Sequence, residues 1–539
     1  MRALLFFLLL RAVFPAVSLS CFPGGVSAYQ GEKVYLTFEV RGLLPDTLGQ
    51  LSLSYHLYDS RGRLVRFENP RFRPPARRKF SLPVFFAAPP GEYTVEFEFL
   101  KEGEFWGRDR GWRPCRLRLS LKGLFSPEFR RKYLPRPLTF KDESLVRLQY
   151  LLRLTYLNNE IRKNGALWGF SAGSHYPQLW IRDLASAIPY ALEFYRWDQL
   201  RGSLEAFLML QGRDGEIPGW IGTDLKTGKN TVSSDQEPSL VLAAYFLARK
   251  NPSWLCREVK GLKVVDRLAG ALMWLWRNRR DPETGLIWSG FKADWGDVSL
   301  QHPRDPTHFH PGDLKVVGIY TQARFYRALE AIVRMERWCP LRRRPPLEAM
   351  ARRIKQASLR YLYLPREGYF LIHRVLGTTR YLEMERKILP VGGNAEAMLA
   401  GFMSRRMVKR FFQVHRKRME TLGVSSPSFV LLPPYPEGFF PFHLMKPWHY
   451  QNGGGWDWIG ARLVQALLSS GFDKEGEEYL KEIVRRNLLW FSIYEWFDRQ
   501  GRGWGAFSYT AAAGEMGQAL KVLSRIKVRG SLDRKAKLW

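Results

Sequence analysis

Trp288-Ser-Gly-Phe-Lys-Ala-Asp-Trp-Gly-Asp297 lies between two long helical patterns and carries two carboxylates, Asp294 and Asp297, on one short segment. A turn-rich lead-in, Asp281-Pro-Glu-Thr-Gly285, precedes it, and a polar, proline-broken loop follows as far as Gly312. Glycine permits a sharp backbone turn, while Trp288, Phe291 and Trp295 offer flat apolar faces. A carboxyl group walled by aromatics is partly desolvated, which raises its pKa and can hold it protonated as a general acid. The competing reading is a solvated Asp-Gly loop with aromatic anchors.

On both sides of this segment the apolar period is helical. About eleven amphipathic stretches run from residues 145–162 to 511–524, and such helices can pack as hairpins around a ring. Three connections, residues 168–183, 281–315 and 425–457, are longer than ordinary helix joints, a length more often functional than idle. Residues 29–122 instead alternate with period two, as in Lys33-Val-Tyr-Leu-Thr-Phe-Glu-Val40 and Gly91-Glu-Tyr-Thr-Val-Glu-Phe-Glu-Phe99. Short alternating strands between Gly/Pro turns predict an antiparallel β-sandwich with an accessory role. Residues 123–142, with Pro127, Pro135 and Pro137, read as a linker, and 143–539 as the helical catalytic unit.

Residues 1–28 open with Met1-Arg-Ala-Leu-Leu-Phe-Phe-Leu-Leu-Leu10 and resemble a secretory signal. That predicts export to the periplasm or outer surface, or a cytoplasmic protein if the apolar run is not a signal. No later stretch reaches the roughly 18 apolar residues of a membrane span. Lys+Arg outnumber Asp+Glu by 84 to 51, a formal charge of +33. The excess favours anionic surfaces, envelope polymers among them. No nucleic-acid motif accompanies it, and the basic residues read as scattered, so nucleic acid is not expected as a partner. Cys21, Cys115, Cys256 and Cys339 lack metal-ligand spacing, and no metal or organic cofactor is expected. Cys21 and Cys115 flank the alternating region and could bridge it in an oxidising compartment.

Four further loops carry candidate chemistry. In Tyr176-Pro-Gln-Leu-Trp-Ile-Arg-Asp183, Trp180 is a stacking surface, and Arg182 with Asp183 can grip neighbouring sugar hydroxyls, one donating and one accepting. In Thr231-Val-Ser-Ser-Asp-Gln-Glu-Pro-Ser239, Asp235 reads as a helix cap or a substrate ligand. Trp448-His-Tyr-Gln-Asn-Gly-Gly-Gly-Trp-Asp-Trp458 offers the Asn452 amide and the rings of Trp456 and Trp458, with Trp295 as a further platform. Glu495, between Tyr494 and Trp496 and before Gly501, Gly503 and Gly505, supplies a carboxylate to oppose Asp294 or Asp297. Asp457 and Asp498 stand next in line. Inverting glycosidases place such a pair about 6.5–9.5 Å apart, leaving room for a water.

Taken in order, Trp-x-Arg-Asp (180–183), Ser-x-Asp-x-x-Pro-Ser-Leu (233–240), Asp-Trp-Gly-Asp (294–297), Asn-Gly-Gly-x-Trp-x-Trp (452–458, with one extra glycine) and Glu-Trp-Phe-Asp…Phe-Ser-Tyr (495–509) resemble the six-hairpin (α/α)₆ glycosidases. That group includes glucoamylases, amylo-α-1,6-glucosidases, trehalases, processing α-glucosidases and neutral invertases. The resemblance spans about residues 145–525. It implies a toroid, an α-glucoside or related oligosaccharide or polysaccharide as substrate, and inversion. It also implies sugar binding by Arg182 and Asp183, a general acid at Asp297 or Asp294, and a general base at Glu495. Asp297, directly before Val298, is the preferred acid, because apolar neighbours would keep it protonated; Asp294 lies close to Lys292. Two departures bear on subfamily. Trp288-Ser-Gly290 lacks the Glu that trehalases place before Ser-Gly, and Asp-Trp-Gly-Asp is also similar to a segment of disaccharide phosphorylases.

Overall fold

Alternating apolar residues build the first unit of the computed structural model, residues 1–135, and helices build the second, residues 136–539. The structure describes residues 18–529 apart from 24, 42–51, 73–78, 87, 89, 102–103, 106–113, 135 and 175. In the first unit the strands are β1 (Ser18–Phe22), β2 (Gly25–Tyr29), β3 (Lys33–Arg41), β4 (Ser52–Asp59) and β5 (Leu64–Phe72). They continue with β6 (Lys79–Phe85), β7 (Gly91–Lys101), β8 (Glu104–Phe105) and β9 (Cys115–Lys122). One sheet has the order β1-β3-β6; the other runs β2-β9-β7-β4-β5, with β8 on β7.

Inward-facing residues of both sheets share one core. There the Phe38 ring meets Phe80 at 5.6 Å and, from the other sheet, Phe97 at 5.1 Å. The pairings are antiparallel except one: β2 runs parallel to β9, Gly25 opposite Arg118. The disulfide Cys21–Cys115 joins β1 of one sheet to β9 of the other.

The units divide within the expected linker 123–142, and two expected segments hold regular structure. Residues 18–29, most of which fall within the expected signal segment 1–28, form β1 and β2, because Leu19 and Ala28 are buried in the sheet core and Cys21 is bridged. Residues 1–17 lie outside the described residues. The expected linker contains helix α1 (Pro127–Tyr133), whose Ser126 side chain accepts from the Phe129 amide at 3.2 Å. Pro127 suits the first helical position, where no amide is needed. Phe129 is wholly buried, edge-on to Tyr29 at 5.2 Å, so burial rather than propensity orders this segment.

The helical unit begins with α2 (Glu143–Asn159), α3 (Ile181–Ala191), α4 (Trp197–Met209), α5 (Gln236–Ala248) and α6 (Val264–Asn278). It continues with α7 (Ile319–Met335), α8 (Leu347–Tyr361), the short α9 (Leu382–Lys387), α10 (Val391–Leu399) and α11 (Arg405–Leu422). It ends with α12 (Asp457–Ser469), α13 (Asp473–Trp490) and α14 (Thr510–Arg529). Neighbour contacts run α3–α5–α7–α10–α12–α14 and back to α3, a closed inner ring; α2, α4, α6, α8, α11 and α13 alternate with these along the chain. Inner α5 is buried on nearly every side, as a helix in the middle of a domain must be, whereas α11 shows one apolar stripe, Val408, Phe411, His415 and Met419. Among the described residues no helix is long and apolar enough to cross a membrane.

A buried charge network spans the inner ring. Arg462 of α12 pairs with Glu396 of α10 at 2.7 Å and with Glu515 of α14 at 2.9 Å. Its guanidinium also donates to Ser186 of α3 at 2.9 Å. Arg324 and Arg327 of α7 converge on the same Glu396, and Arg324 donates to Ser239 of α5 at 2.8 Å. Every inner helix thus contributes at least one polar side chain. Buried charges are tolerated when each is paired and hydrogen-bonded, and removing one partner strands the rest.

Candidate active site

The starts of α3, α5, α12 and α14 surround one cavity of about 220 Å³. Three carboxylates line it: Asp183, Asp297 and Glu495. The positive ends of four helix dipoles therefore face the groups that carry negative charge.

Glu495 sits on a two-stranded ribbon, residues 494–497 against 503–507. The Ala506 amide donates to its Oε2 at 2.9 Å. Burial pushes its pKa up to about 7, against the lowering effect of Ala506 and Tyr176; the charges of Asp183 and Asp297 add to the rise. Gly505, at φ +72°, is required here: a Cβ would lie 2.3 Å from Glu495 Oε2.

Asp297 is held by amides. Gln451 donates through Nε2 to Oδ1 at 2.7 Å and accepts the Asp297 backbone N–H at 3.1 Å. Asn230 contacts Oδ2 at 2.7 Å, and Arg182 Nη1 stands 3.7 Å away. The expectation of apolar neighbours around Asp297 is thus corrected: the residues touching its carboxylate are polar. Gly296 makes room for Gln451, since a Cβ would come within 2.4 Å of Gln451 Oε1.

Asp183 lies in the first turn of α3 and is raised to about 6 by burial, opposed by Arg182 and by a hydrogen bond from Tyr509. Arg182 lines the cavity but is committed largely to Asp235, Nε to Oδ2 at 2.9 Å. Trp180, Trp295 and Trp456 also line the cavity.

Four expected site residues stand elsewhere. Asp294, at φ +48°, turns away from the cavity and accepts the Gly393 amide at 2.9 Å, anchoring the start of α10. Burial raises it to about 7, against that hydrogen bond and Lys292. Asp235 neither lines the cavity nor caps α5 with its side chain; it orients Arg182. Asn452 is fully buried and spends its amide on Tyr435 N, Tyr435 O and Met445 O. Trp458 packs edge-on against Trp295 at 4.8 Å and under the Arg462 guanidinium at 4.5 Å. The reserve candidates are structural as well. Asp457 binds Ser428, Arg486 and Asn487, and Asp498 binds Arg502 and Trp504.

Residues not singled out from the sequence complete the site: Tyr176, Asn230, Tyr450, Gln451 and Tyr509. Gln451 directly precedes Asn452 in the glycine-rich motif. An amide beside a Gly run is the available signal, and it does not tell two neighbouring amides apart.

No protein-family model and no curated protein matches the chain. Solved structures do. The GH63 mannosylglycerate hydrolase from Thermus thermophilus in complex with glucose is 14% identical, with a TM-score of 0.52 over 70% of this chain and 99% of that one. The same enzyme with Tris and D-glycerate is 16% identical, TM-score 0.53, over 68% and 98%. A bacterial glucoamylase complexed with acarbose is 10% identical, TM-score 0.52, over 92% of this chain and 77% of that one.

The helical unit has the (α/α)₆ toroid fold of these solved structures. In this (α/α)₆ toroid the cavity lies at the helix starts, where loops supply its walls. The glucoamylase likeness covers more of the chain than the toroid alone, which makes up about three quarters of it, and so takes in much of the two-sheet unit.

Proposed function

We propose that the cavity hydrolyses a glycosidic bond of an α-glucoside or related oligosaccharide, with inversion and without a cofactor. The observation that carries this reading is the pair Asp297 and Glu495 in one cavity, each carboxylate held by its own set of donors. Glu495 is the general base. Its donors fix the oxygens toward the cavity, and a pKa near 7 makes it a stronger base than an ordinary carboxylate while leaving it ionised above neutrality. Asp297 is the general acid. Asn230 Nδ2 donates to Oδ2 as the structure stands, and turning this amide over would place its oxygen there to accept from the protonated acid. Asp183 and Arg182 bind sugar hydroxyls, and Trp180, Trp295 and Trp456 supply apolar walls.

The two amide donors on Asp297 favour a second reading, with the roles of Asp297 and Glu495 exchanged. Following the anomer of the first product by NMR over a panel of α-glucosides tests the proposal. Turnover with inverted configuration is expected. Retained configuration rejects the mechanism, a phosphate-dependent rate makes the enzyme a phosphorylase, and binding without turnover makes it a carbohydrate-binding protein. We also read the first unit as an accessory β-sandwich. The protein is proposed to be exported, which suits its two disulfides, Cys21–Cys115 and Cys256–Cys339. N-terminal sequencing from the native host tests that.

A further inference from the structure

The basic residues are not evenly scattered. Helix α11, Arg-Arg-Met-Val-Lys-Arg-Phe-Phe-Gln-Val-His-Arg-Lys-Arg-Met-Glu-Thr-Leu, concentrates cations and has a single acid, Glu420. Other helices pair theirs: Arg147 with Glu143 on α2, Arg201 with Glu205 on α4, and Lys481 with Glu477 on α13. Among the described residues only Arg416 does so on α11, with Glu420 at 3.3 Å. Arg405, Arg406, Lys409, Arg410 and Lys417 form no ion pair among the described residues, and all are exposed. Beside them lies an open groove of about 510 Å³, walled by Arg410, Lys417 and Arg418 and carrying Gln413 and Thr421. Arg418 is fixed in place by donating to the carbonyls of Lys387 and Leu432 and to the Tyr369 hydroxyl.

We propose that this groove binds a linear acidic polysaccharide, one carrying carboxylates or phosphates along its sugars. Arg410 and Lys417 are seven residues apart, about 10 Å along the helix, so they meet successive charges of an extended chain. Gln413 and Thr421 supply the amide and hydroxyl contacts that sugar hydroxyls need. Nucleic acid is disfavoured because no aromatic side chain lines the groove for bases to stack on. A lipid surface is disfavoured because the apolar stripe of α11 is buried in the protein. The choice of a polysaccharide over other polyanions rests on the carbohydrate reading of the cavity; the binding itself does not.

Binding of the full chain to polygalacturonate, measured by titration calorimetry at low salt, tests this, with neutral dextran, duplex DNA and phosphatidylglycerol vesicles as the other arms. Polygalacturonate should bind, weaken steeply as salt shortens the Debye length, and lose at least tenfold in affinity in R410E/K417E. The control R485E, an exposed charge reversal on α13, should leave binding unchanged, and turnover of small neutral glucosides should be the same in all three proteins. Absence of polygalacturonate binding overturns the proposal, as does an equal loss in R485E, which would make the effect one of net charge. DNA or vesicles bound as tightly as polygalacturonate overturn the partner class. Because the readout is binding, a protein that binds here yet turns over no glucoside refutes only the catalytic reading.

Discussion

The Tyr176 hydroxyl lies 3.0 and 3.1 Å from the two carboxylate oxygens of Glu495, joining residues 319 apart in sequence. A donor placed there favours the charged form and opposes the effect of burial.

Removing that donor has a definite sign. If Glu495 must be ionised to act, the rate falls as pH drops below about 7, and the limb reports the Glu495 pKa. Tyr176→Phe removes a contact that lowers this pKa, so the limb should move to higher pH. A limb that stays in place, or moves down, contradicts the assignment. The pH profile of kcat/KM is the measurement.

Glu495→Gln and Asp297→Asn should each lose about 10²–10⁴-fold in kcat while keeping their fold by circular dichroism. A substrate with an activated leaving group should restore part of the Asp297→Asn rate and none of the Glu495→Gln rate. The opposite pattern exchanges the two roles.

Gly505→Ala should reduce turnover and also lower Tm somewhat, because an L residue is strained at φ +72°. Its new methyl group would lie 2.3 Å from the Glu495 carboxylate, so the base must move. A displacement of about 1 Å costs on the order of 10²-fold in rate. Wild-type kinetics in this variant would show that the position of Glu495 is not critical.

Asp235→Asn should act on stability as well as rate. It leaves the largely buried Arg182 guanidinium without its closest anion, a loss of about 3–5 kcal/mol for a broken buried pair. Urea unfolding measures it. Breaking the Cys256–Cys339 bridge, whose ends are 83 residues apart, should cost a similar amount, about 4–5 kcal/mol by loop entropy, read as a lower Tm in the double serine variant.

The toroid is legible in the sequence because amphipathic outer helices such as α8 and α13 keep a helical period. Motif order, more than any one motif, points to the ring. Within the motifs, the purpose of each polar residue is less visible. Asp294 and Asp297 are three positions apart and chemically identical, yet the left-handed backbone at Asp294 sends one to α10 and leaves the other at the cavity. Gln451 and Asn452 divide in the same way, one amide on Asp297 and the other on the Tyr435 backbone. Local sequence does not encode which way such a side chain turns, because distant partners decide it, as Gly393 does for Asp294 from 99 residues away. The β1 and β2 strands are hidden for another reason: their small residues, such as Ser18, Ser20, Ser27 and Ala28, also suit the exit of a signal segment.

Ring closure has a consequence for biogenesis. Helix α3 finds its last inner neighbour only in α14, and Asp183 meets Tyr509 only when that end of the chain is present. During vectorial synthesis Asp183 must therefore wait for its Tyr509 partner until more than three hundred residues have followed. A nascent chain stalled before residue 510 has all three cavity carboxylates and lacks the last inner helix. The last helix is the latch, and its arrival turns a string of helices into a closed ring.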